Sequence, residues 1–224
     1  LYDKPIDRLK ESLSVSHKEY HKDFYALSDL SFTVEKGQTV GIIGTGKIAK
    51  KLIMILRGFG MNVLAYDLYP DYNFAREHQV VYTTLDELYH SSDIISLHCP
   101  LTEQTKYLIN DYSISKMKEG VMIINTGRGQ LIHTNALIEG LKNKKIGSAG
   151  LDVYEEEGEY FYEDQSDRII DDDVLARLLS FNNVIVTSHQ AFFTREALEN
   201  IATTTLQNIK DFASGKALEN EVKI

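Results

Sequence analysis

The stretch TVGIIGTGKIAKKL, residues 39–52, joins a run of apolar residues to a segment with helical spacing through the turn Gly44-Thr45-Gly46. Together with Ala49, this turn forms the pattern G-x-G-x-x-A. The first glycine permits a tight turn, the second lets a diphosphate approach the backbone, and the small Ala49 lets the helix lie close to a sheet. The start of the helix also offers N–H groups and a partial positive charge to an anion. A plain tight turn fits these residues as well, so the context has to decide.

Asp67 supplies that context. It follows the next predicted strand, residues 62–66, and stands 23 positions after Gly44. An acid at this point can accept hydrogen bonds from both ribose hydroxyls of the adenosine half of a dinucleotide. Because Leu68 follows and no arginine is adjacent, a 2′-phosphate would be repelled. The sequence therefore predicts NAD rather than NADP as the cofactor.

A second phosphate-binding motif overlaps the first. Residues 41–47 match the first seven positions of a P-loop, which ends in a serine or threonine that binds magnesium through its hydroxyl. Ile48 stands at that position and has no hydroxyl group. The chemistry of a P-loop therefore fails here.

The pattern of the chain from residue 39 onward is alternation of apolar strands with helices. Such strands indicate a parallel sheet covered on both faces, and thus an α/β fold with a doubly wound parallel sheet (Rossmann-like) that binds ligands at the carboxyl ends of its strands. The predicted strands cover residues 39–43, 62–66, 93–100, 121–127, 146–154 and 183–189. The predicted helices cover residues 47–59, 85–89, 113–120, 134–145, 172–181 and 194–212.

Composition excludes several classes of function. The chain has 224 residues, with 24 lysines and arginines against 33 acidic residues and a net charge of −9, so a basic surface for nucleic acid or anionic lipid is not expected. No apolar run is long enough to cross a bilayer, and no secretory leader opens the chain. The single cysteine, Cys99, argues against disulfides and a multi-cysteine metal site. These features predict a cytoplasmic protein without a metal site.

From about residue 37 to the C terminus, six successive motifs stand in a specific order. They are GIIGTGKIAKKL, RGFGMNVLAYD, DIISLHCPLTEQTKYLIN, MKEGVMIINTGRGQLI, IGSAGLDVYEEEGEYFYED and VIVTSHQAFFTREAL. In these motifs the chain resembles the D-2-hydroxyacid dehydrogenases, most of all their D-lactate dehydrogenase branch. The resemblance implies an NAD-binding domain, the interconversion of a 2-keto acid such as pyruvate with a D-2-hydroxy acid, and a homodimer.

Three residues would carry the chemistry that this resemblance implies. Arg128 would grip the carboxylate and carbonyl of the substrate through its forked guanidinium group. His189 would donate the proton in reduction and accept it in oxidation. Glu157 would hydrogen-bond the other imidazole nitrogen, whereas Glu155 and Glu156 are interpreted as solvated. Judged by themselves, Arg128 could be a surface arginine and His189 a structural histidine.

The resemblance also implies residues that line the cofactor site. Asp152 would lie near the nicotinamide, and Phe192 would form a wall of the substrate pocket, although a phenylalanine is by default a core residue. His98 and Cys99 are interpreted as a strand end beside the cofactor and not as a metal pair. The other expected cofactor-binding residues, besides Gly44, Gly46 and Asp67, are Lys47, Ile48, Pro100, Thr126 and Gly127.

The beginning of the chain departs from the family. Residues 1–36 are predicted to form an arm and a strand pair, followed by an NAD-binding domain over 37–191 and a C-terminal helix and tail over 192–224 as a remnant of a substrate lobe. Residues 1–44 resemble the start of ABC-transporter ATPases of the polysaccharide and teichoic-acid exporter type, so the phrase GQTVGIIG could be the seam of a fusion. Without most of the substrate lobe, impaired catalysis is expected. The alternatives are a non-catalytic NAD-binding module and an ATP-binding fragment.

Overall fold

The computed structural model describes residues 37–156 and 172–221 of the chain. These residues all lie within one compact unit, Lys36–Ile224. The predicted N-terminal arm and strand pair, and the candidate Glu157, fall outside the described ranges. They stay predictions, as do the predicted domain borders at 36/37 and 191/192.

A parallel sheet forms the centre of the described part of the chain. Its strands are short and rich in valine and isoleucine, residues that pack well on a pleated surface covered on both sides. The seven strands in the described ranges are β1 (Thr39–Ile43), β2 (Asn62–Tyr66), β3 (Val80–Tyr82), β4 (Ile94–Leu97), β5 (Val121–Asn125), β6 (Ile146–Leu151) and β7 (Val184–Val186). Their order across the sheet is β3-β2-β1-β4-β5-β6-β7, and every neighbouring pair is parallel.

Helices follow or separate the strands. They are α1 (Lys47–Gly58), α2 (Tyr72–His78), α3 (Leu85–Ser91), α4 (Asp111–Lys116), α5 (Thr134–Lys142), α6 (Asp173–Leu179) and α7 (Arg195–Ala213). In α2 to α7, a side chain of the N-cap residue accepts a hydrogen bond from the first turn. Helix α1 differs, because its N-cap is Gly46 and no side chain caps it. The N–H groups at its start therefore keep their capacity to bind an anion.

The core consists of two clusters of buried apolar residues. The smaller cluster joins β1 and β2 to α1 and includes Ile42, Ile53 and Val63. The larger cluster extends from Leu88 in α3 through β4, β5 and α5 to Leu178 in α6. Helices thus cover both faces of the sheet, as the sequence predicted.

The segment from residue 72 to residue 82 is where the sequence-based prediction was incomplete. It contains α2 and β3, which are only seven and three residues long. The left-handed backbone of Gln79, with φ of 54°, ends the helix and lets the edge strand begin at once. Because β3 was missed, residues 121–127 stood as the fourth predicted strand, but the strand that precedes Arg128 is the fifth in chain order, β5.

Helix α7 lies at the end of the described chain and buries none of its residues. Its apolar side chains, including Ile201, Ile209 and Phe212, are exposed. The helix itself was predicted with nearly the observed limits. None of the helices in the described ranges is both long enough and apolar enough to span a membrane.

Candidate functional site

The loops that follow the parallel strands all lie at one edge of the sheet. Chain order reverses between β1 and β4, so the loops after these two strands diverge and leave a crevice between them. Hydrogen bonds from Gly44 N to the Tyr66 carbonyl (2.8 Å) and from His98 N to the Ile43 carbonyl (2.7 Å) fix the start of both loops. The same edge carries Asp67, Arg128, Asp152 and His189, which follow β2, β5, β6 and β7.

The two glycines of the turn between β1 and α1 differ in what they require. Gly44 has a φ of +89°, and a Cβ atom on it would lie 2.6 Å from the backbone nitrogen of Cys99, so no larger residue fits. A Cβ atom on Gly46 would meet no atom of the described residues within 4 Å. Packing of the protein therefore explains Gly44 but not Gly46, whose open side faces a cavity.

Two cavities lie on either side of this turn. The cavity that includes Gly44 and Asp67, here the Asp67 cavity, has a volume of about 210 Å³. The cavity that includes Gly46 and Arg128, here the Arg128 cavity, has a volume of about 630 Å³. Cys99 and Pro100 line both of them. The Arg128 cavity brings together nine of the residues predicted from the sequence: Gly46, Lys47, Ile48, His98, Cys99, Pro100, Thr126, Gly127 and Arg128.

Asp67 is held by hydrogen bonds at the end of β2. Its Oδ2 accepts from Thr45 N (2.6 Å) and Thr45 Oγ1 (2.9 Å), and its Oδ1 accepts from Tyr69 N (2.8 Å). Partial burial acts to raise the pKa of Asp67, but these hydrogen bonds and the charge of Lys50 outweigh it, so that the pKa lies below its ordinary value. Asp67 is therefore an anion at neutral pH.

The loop that carries Arg128 is fixed by contacts on two sides. Asn125 donates from Nδ2 to the Arg128 carbonyl (2.9 Å) and accepts at Oδ1 from Gly127 N (3.0 Å). The backbone of Gly129 packs so closely on the end of Tyr154 that a Cβ atom there would lie 1.9 Å from its carbonyl oxygen. The guanidinium group is exposed and donates from Nη1 to the Gly127 carbonyl (2.8 Å).

Glu155 is not the solvated residue that the sequence suggested. Its side chain accepts hydrogen bonds from the Tyr107 hydroxyl, from Thr134 Oγ1 (2.8 Å) and from Thr134 N (3.2 Å). Partial burial acts to raise its pKa, and these hydrogen bonds lower it below the ordinary value. The acidic run hid this role because the partners lie far away in the sequence. Glu156 is exposed, as predicted.

Asp152 is buried and holds the loop after β7. Its carbonyl oxygen accepts from His189 N (2.6 Å). Its carboxylate accepts from Thr187 Oγ1 (2.6 Å), Gln190 N (2.9 Å) and Ala191 N (2.9 Å). This arrangement fixes the backbone of His189 in a left-handed conformation with φ of 51°. The expected contact of Asp152 with nicotinamide stays a prediction.

Burial changes the acid–base behaviour of the two residues after β4. It lowers the pKa of His98, whose Nε2 lies 2.9 Å from Ser96 Oγ, so the ring is neutral at neutral pH. It raises the pKa of the Cys99 thiol to about 11. No group of three or more potential ligands among the described histidines, cysteines and acids is arranged to hold a metal ion.

Some of the predicted residues are not brought into either cavity. His189 and Phe192 belong to the loop after β7 and line neither the Asp67 cavity nor the Arg128 cavity. Phe192 is exposed and contacts Phe193 edge-on at 6.2 Å between ring centroids, so the default assignment to the core is wrong. Its place in a substrate pocket stays a prediction, and Glu157 is outside the described residues.

Thr45 and Tyr82 are residues near the site that the sequence did not single out. Tyr82 donates a hydrogen bond from its hydroxyl to Thr45 Oγ1 (2.9 Å). Thr45 stood at a variable position of the glycine motif, and Tyr82 belongs to the strand that was missed. Only the pairing of β3 with β2 reveals that this tyrosine approaches the glycine turn.

These features together define a dinucleotide-binding α/β domain: a glycine turn at the switch point, an uncapped helix start, an acid after the second strand and a cavity on each side. The chain belongs to the D-2-hydroxyacid dehydrogenase family, because the family "D-isomer specific 2-hydroxyacid dehydrogenase, NAD binding domain" matches residues 10–191. The open space at Gly46 and the ionised Asp67 fit NAD, the cofactor of this domain family.

Similar proteins agree with this assignment. D-lactate dehydrogenase of Escherichia coli K12 is 47% identical over 213 residues, which are 92% of this chain and 64% of that protein. The structure of the pyruvate reductase of Chlamydomonas reinhardtii matches with a TM-score of 0.81 and 41% identity over 95% of this chain and 62% of that one. D-lactate dehydrogenase with NAD+ from Lactobacillus jensenii matches with a TM-score of 0.76 and 33% identity, covering 84% of this chain and 56% of that one.

The matched lengths set the scope of these comparisons. The chain spans less than two thirds of each of these relatives. The family match begins at residue 10 and so includes residues 10–36, which the sequence motifs alone had set apart from the family. The likeness of residues 1–44 to exporter ATPases stays a prediction.

Proposed function

We propose that this protein is an NAD-dependent oxidoreductase that interconverts a small 2-keto acid, such as pyruvate, with the matching D-2-hydroxy acid. The observation that carries the proposal is the Arg128 cavity, whose lining includes both the exposed Arg128 and the uncapped start of α1. A diphosphate at the helix start and a carboxylate at Arg128 would each meet a positive potential. The relatives named D-lactate dehydrogenase and pyruvate reductase support this substrate class.

Arg128 binds and polarises the substrate in this proposal. Its planar guanidinium can hold the carboxylate and the carbonyl oxygen of a 2-keto acid through parallel hydrogen bonds. The rigid loop formed with Asn125 and Gly129 fixes the backbone from which this side chain extends. Such fixed orientation lowers the entropy cost of reaching the reactive geometry.

His189 holds the proton that the carbonyl oxygen receives in reduction, and it takes that proton back in oxidation. The hydrogen bonds to Asp152 fix the backbone of its loop. By the resemblance to the family, Glu157 would hydrogen-bond the other imidazole nitrogen. When bound, NADH supplies a hydride to the keto carbon, so that one hydride and one proton turn the ketone into an alcohol.

The test follows the loss of NADH absorbance with pyruvate and determines the chirality of the product. The protein should form D-lactate, and His189→Gln should lower kcat roughly 10²–10⁴-fold. Arg128→Lys keeps the charge but loses the fork, so it should raise KM for pyruvate and lower kcat. Arg195→Lys on α7 is the matched control, since Arg195 is exposed and pairs with Glu199 outside the site.

Binding measured separately from turnover distinguishes the alternatives. If calorimetry detects NADH binding but no keto acid is reduced, the chain acts as a non-catalytic NAD-binding module, and the enzymatic proposal is wrong. If NADH does not bind, both proposals are wrong. Hydrolysis of ATP would favour the exporter-like alternative, although Ile48 lacks the hydroxyl that a P-loop needs.

A homodimer and a cytoplasmic location also stay predictions, which the resemblance and the composition favour. Light scattering of the purified chain tests whether it forms a homodimer, because this method measures the mass in solution and one chain has a mass of 25.5 kDa. A dimer should give twice this mass. Fractionation of cells that express the protein tests the second.

A further inference from the structure

A row of three hydrogen bonds connects the start of α2 to Asp67. The Asp71 N–H donates to the Tyr82 hydroxyl (3.2 Å), the Tyr82 hydroxyl donates to Thr45 Oγ1 (2.9 Å), and Thr45 Oγ1 donates to Asp67 Oδ2 (2.9 Å). A backbone N–H can only donate, and an ionised carboxylate can only accept. The two ends therefore fix the direction of both hydroxyl groups between them.

This direction determines what Thr45 can do. A threonine hydroxyl has one proton, and the bond from Tyr82 occupies one of its lone pairs. The proton of Thr45 therefore goes to Asp67, in addition to the backbone N–H of the same residue (2.6 Å). Tyr82 thus contributes to the position of Asp67 without touching it.

The carboxylate of Asp67 keeps capacity for a further partner. Oδ2 accepts two hydrogen bonds from Thr45, and Oδ1 accepts one from Tyr69 N. A carboxylate offers about four acceptor sites, so one remains on Oδ1. Asp67 lines the Asp67 cavity beside Gly44 and Leu68, where a hydroxyl of the adenosine ribose can meet it.

A second contact supports the same geometry. Lys50 in α1 forms an ion pair with Asp71, whose Oδ1 caps α2 by accepting from Phe74 N (3.1 Å). Lys50 and Tyr82 therefore both connect the β1–α1 turn region to the 67–71 loop. Tyr82 differs from Lys50 because its hydroxyl reaches the glycine turn itself.

We propose that Tyr82 is a positioning residue for the adenosine end of the cofactor, which holds Asp67 through Thr45 and thereby favours NAD(H) over NADP(H). This inference rests on the proposed use of NAD. A fixed anion at Asp67 accepts from a ribose hydroxyl and repels a 2′-phosphate. When the hydroxyl of Tyr82 is removed, no hydrogen bond from Tyr82 fixes the direction of the Thr45 hydroxyl. The Asp67 carboxylate is then held less firmly where the adenosine ribose of NADH or the 2′-phosphate of NADPH would lie.

The main experiment compares Tyr82→Phe with the unchanged protein by calorimetric titration with NADH and, separately, with NADPH. Loss of one oriented hydrogen bond should weaken NADH binding about fivefold. The affinity for NADPH should change less, so the dissociation constants of NADH and NADPH should become more nearly equal. With saturating NADH, kcat and the KM for pyruvate should stay the same, which a general loss of structure would not produce.

Two sets of variants test whether the effect passes through Thr45. Tyr72→Phe is the matched control: its ring contacts Tyr82 edge-on at 5.8 Å, but its hydroxyl has no hydrogen bond to any described residue. It should bind NADH like the unchanged protein. Thr45→Ser keeps the hydroxyl and should also bind NADH like the unchanged protein. Thr45→Val loses the hydroxyl and should weaken NADH binding. Adding Tyr82→Phe to Thr45→Val should weaken NADH binding no further, because the two residues act through the same hydrogen bond.

The outcomes separate this inference from the proposed function. If the unchanged protein binds no NADH, the proposed function is wrong, and this inference is wrong with it. If it binds NADH but Tyr82→Phe binds both dinucleotides with unchanged affinity, only the role of Tyr82 is wrong. Effects of Tyr82→Phe and Thr45→Val that simply add would also contradict it, because they would show that the two residues act independently.

Discussion

Single residues of this domain are constrained most strongly where two stretches of backbone meet. Gly129 is such a position, because it lies against the carbonyl of Tyr154 and follows directly after Arg128. Asn125 fixes the same loop through its side chain. The geometry of the Arg128 loop therefore depends on residues that would not touch a substrate.

The first prediction concerns this contact. Gly129→Ala should destabilise the protein by about 1–3 kcal/mol, because the new methyl group overlaps the Tyr154 carbonyl and the loop must shift. Turnover should fall more than NADH affinity, since Arg128 moves with the loop. Thermal unfolding and kinetics measure both effects. Gly150→Ala in β6 is the control, because a Cβ atom there meets no described atom within 4 Å; equal losses in the two variants would contradict the prediction.

The second prediction concerns pH. Burial lowers the pKa of His98 below its ordinary value of 6.5, so below that pH the unfolded chain binds a proton that the folded protein does not. The contribution of neutral His98 to the free energy of unfolding is therefore fully present above about pH 6.5, and it decreases as the pH falls below this value. His98→Gln should reduce the loss of Tm between about pH 7.5 and about pH 5.5. The exposed His90 serves as the control position, and an unchanged loss of Tm in His98→Gln would refute the explanation.

At the scale of elements, the turn between β1 and α1 has two distinct requirements. Gly44 is needed by the protein, through its φ of +89° and its contact with Cys99. Gly46 borders the Arg128 cavity at the uncapped start of α1. One turn therefore contains one position fixed by packing and one position that is open to a ligand.

This difference gives the third prediction. Gly44→Ala should lower Tm clearly, since both the backbone conformation and the space exclude a side chain. Gly46→Ala should lower Tm much less than Gly44→Ala does, but it should weaken NADH binding at least tenfold, because the methyl group occupies the space where the diphosphate approaches. Differential scanning fluorimetry and calorimetric titration measure the two properties. Each variant is the control for the other, and a Gly46→Ala protein with full NADH affinity would contradict the proposed diphosphate site.

Helix α7 gives the fourth prediction. Because it buries no residue, Ile201→Ser and Ile209→Ser should each change stability by about 0.5 kcal/mol or less. Leu137→Ala in α5 removes a fully buried side chain and should cost about 2–5 kcal/mol. Urea unfolding monitored by circular dichroism compares the three variants. A large loss in either α7 variant would mean that this helix contributes to the core.

The sequence predicted the longer elements well. Strands with continuous apolar residues, such as β1 and β5, and the helix α1 with its Gly60 end have patterns that local chemistry alone defines. The helix α2 and the strand β3 were missed, because no glycine or proline marks where one ends and the other begins: the left-handed Gln79 makes that transition within residues 72–82. The strand β3 pairs with β2, which is a tertiary contact. The helix α2 is capped by the side chain of Asp71, which is a local contact.

At the scale of the whole molecule, the parallel sheet explains why candidate residues that are far apart in the sequence could be expected at one edge. A parallel sheet brings all its carboxyl ends to one edge, so residues after separate strands, such as Asp67 and Arg128, belong to one surface. The contacts of Glu155 and Tyr82 could not be predicted in the same way. They depend on side chains that meet across 48 and 37 sequence positions, which no local pattern records.

The fifth prediction concerns the complete domain. A cofactor that binds only the folded state should stabilise it by about 2.7 kcal/mol when the free cofactor concentration is about 100 times its Kd. For a chain of this size, that stabilisation corresponds to a Tm increase of roughly 5–10 °C. NADH should produce this increase. NADPH at the same concentration should produce a smaller one, because Asp67 repels its 2′-phosphate. Equal increases with both dinucleotides would contradict the preference for NAD.

The immobile loop around Arg128 has an evolutionary consequence. Its backbone is held by Asn125, the last residue of β5, and by the end of Tyr154, so substitutions in the loop disturb a backbone that is fixed on two sides. Substitutions that leave the fold intact are therefore expected to be rare in this loop. Exposed positions such as Phe192 can vary with less effect on the stability of the fold.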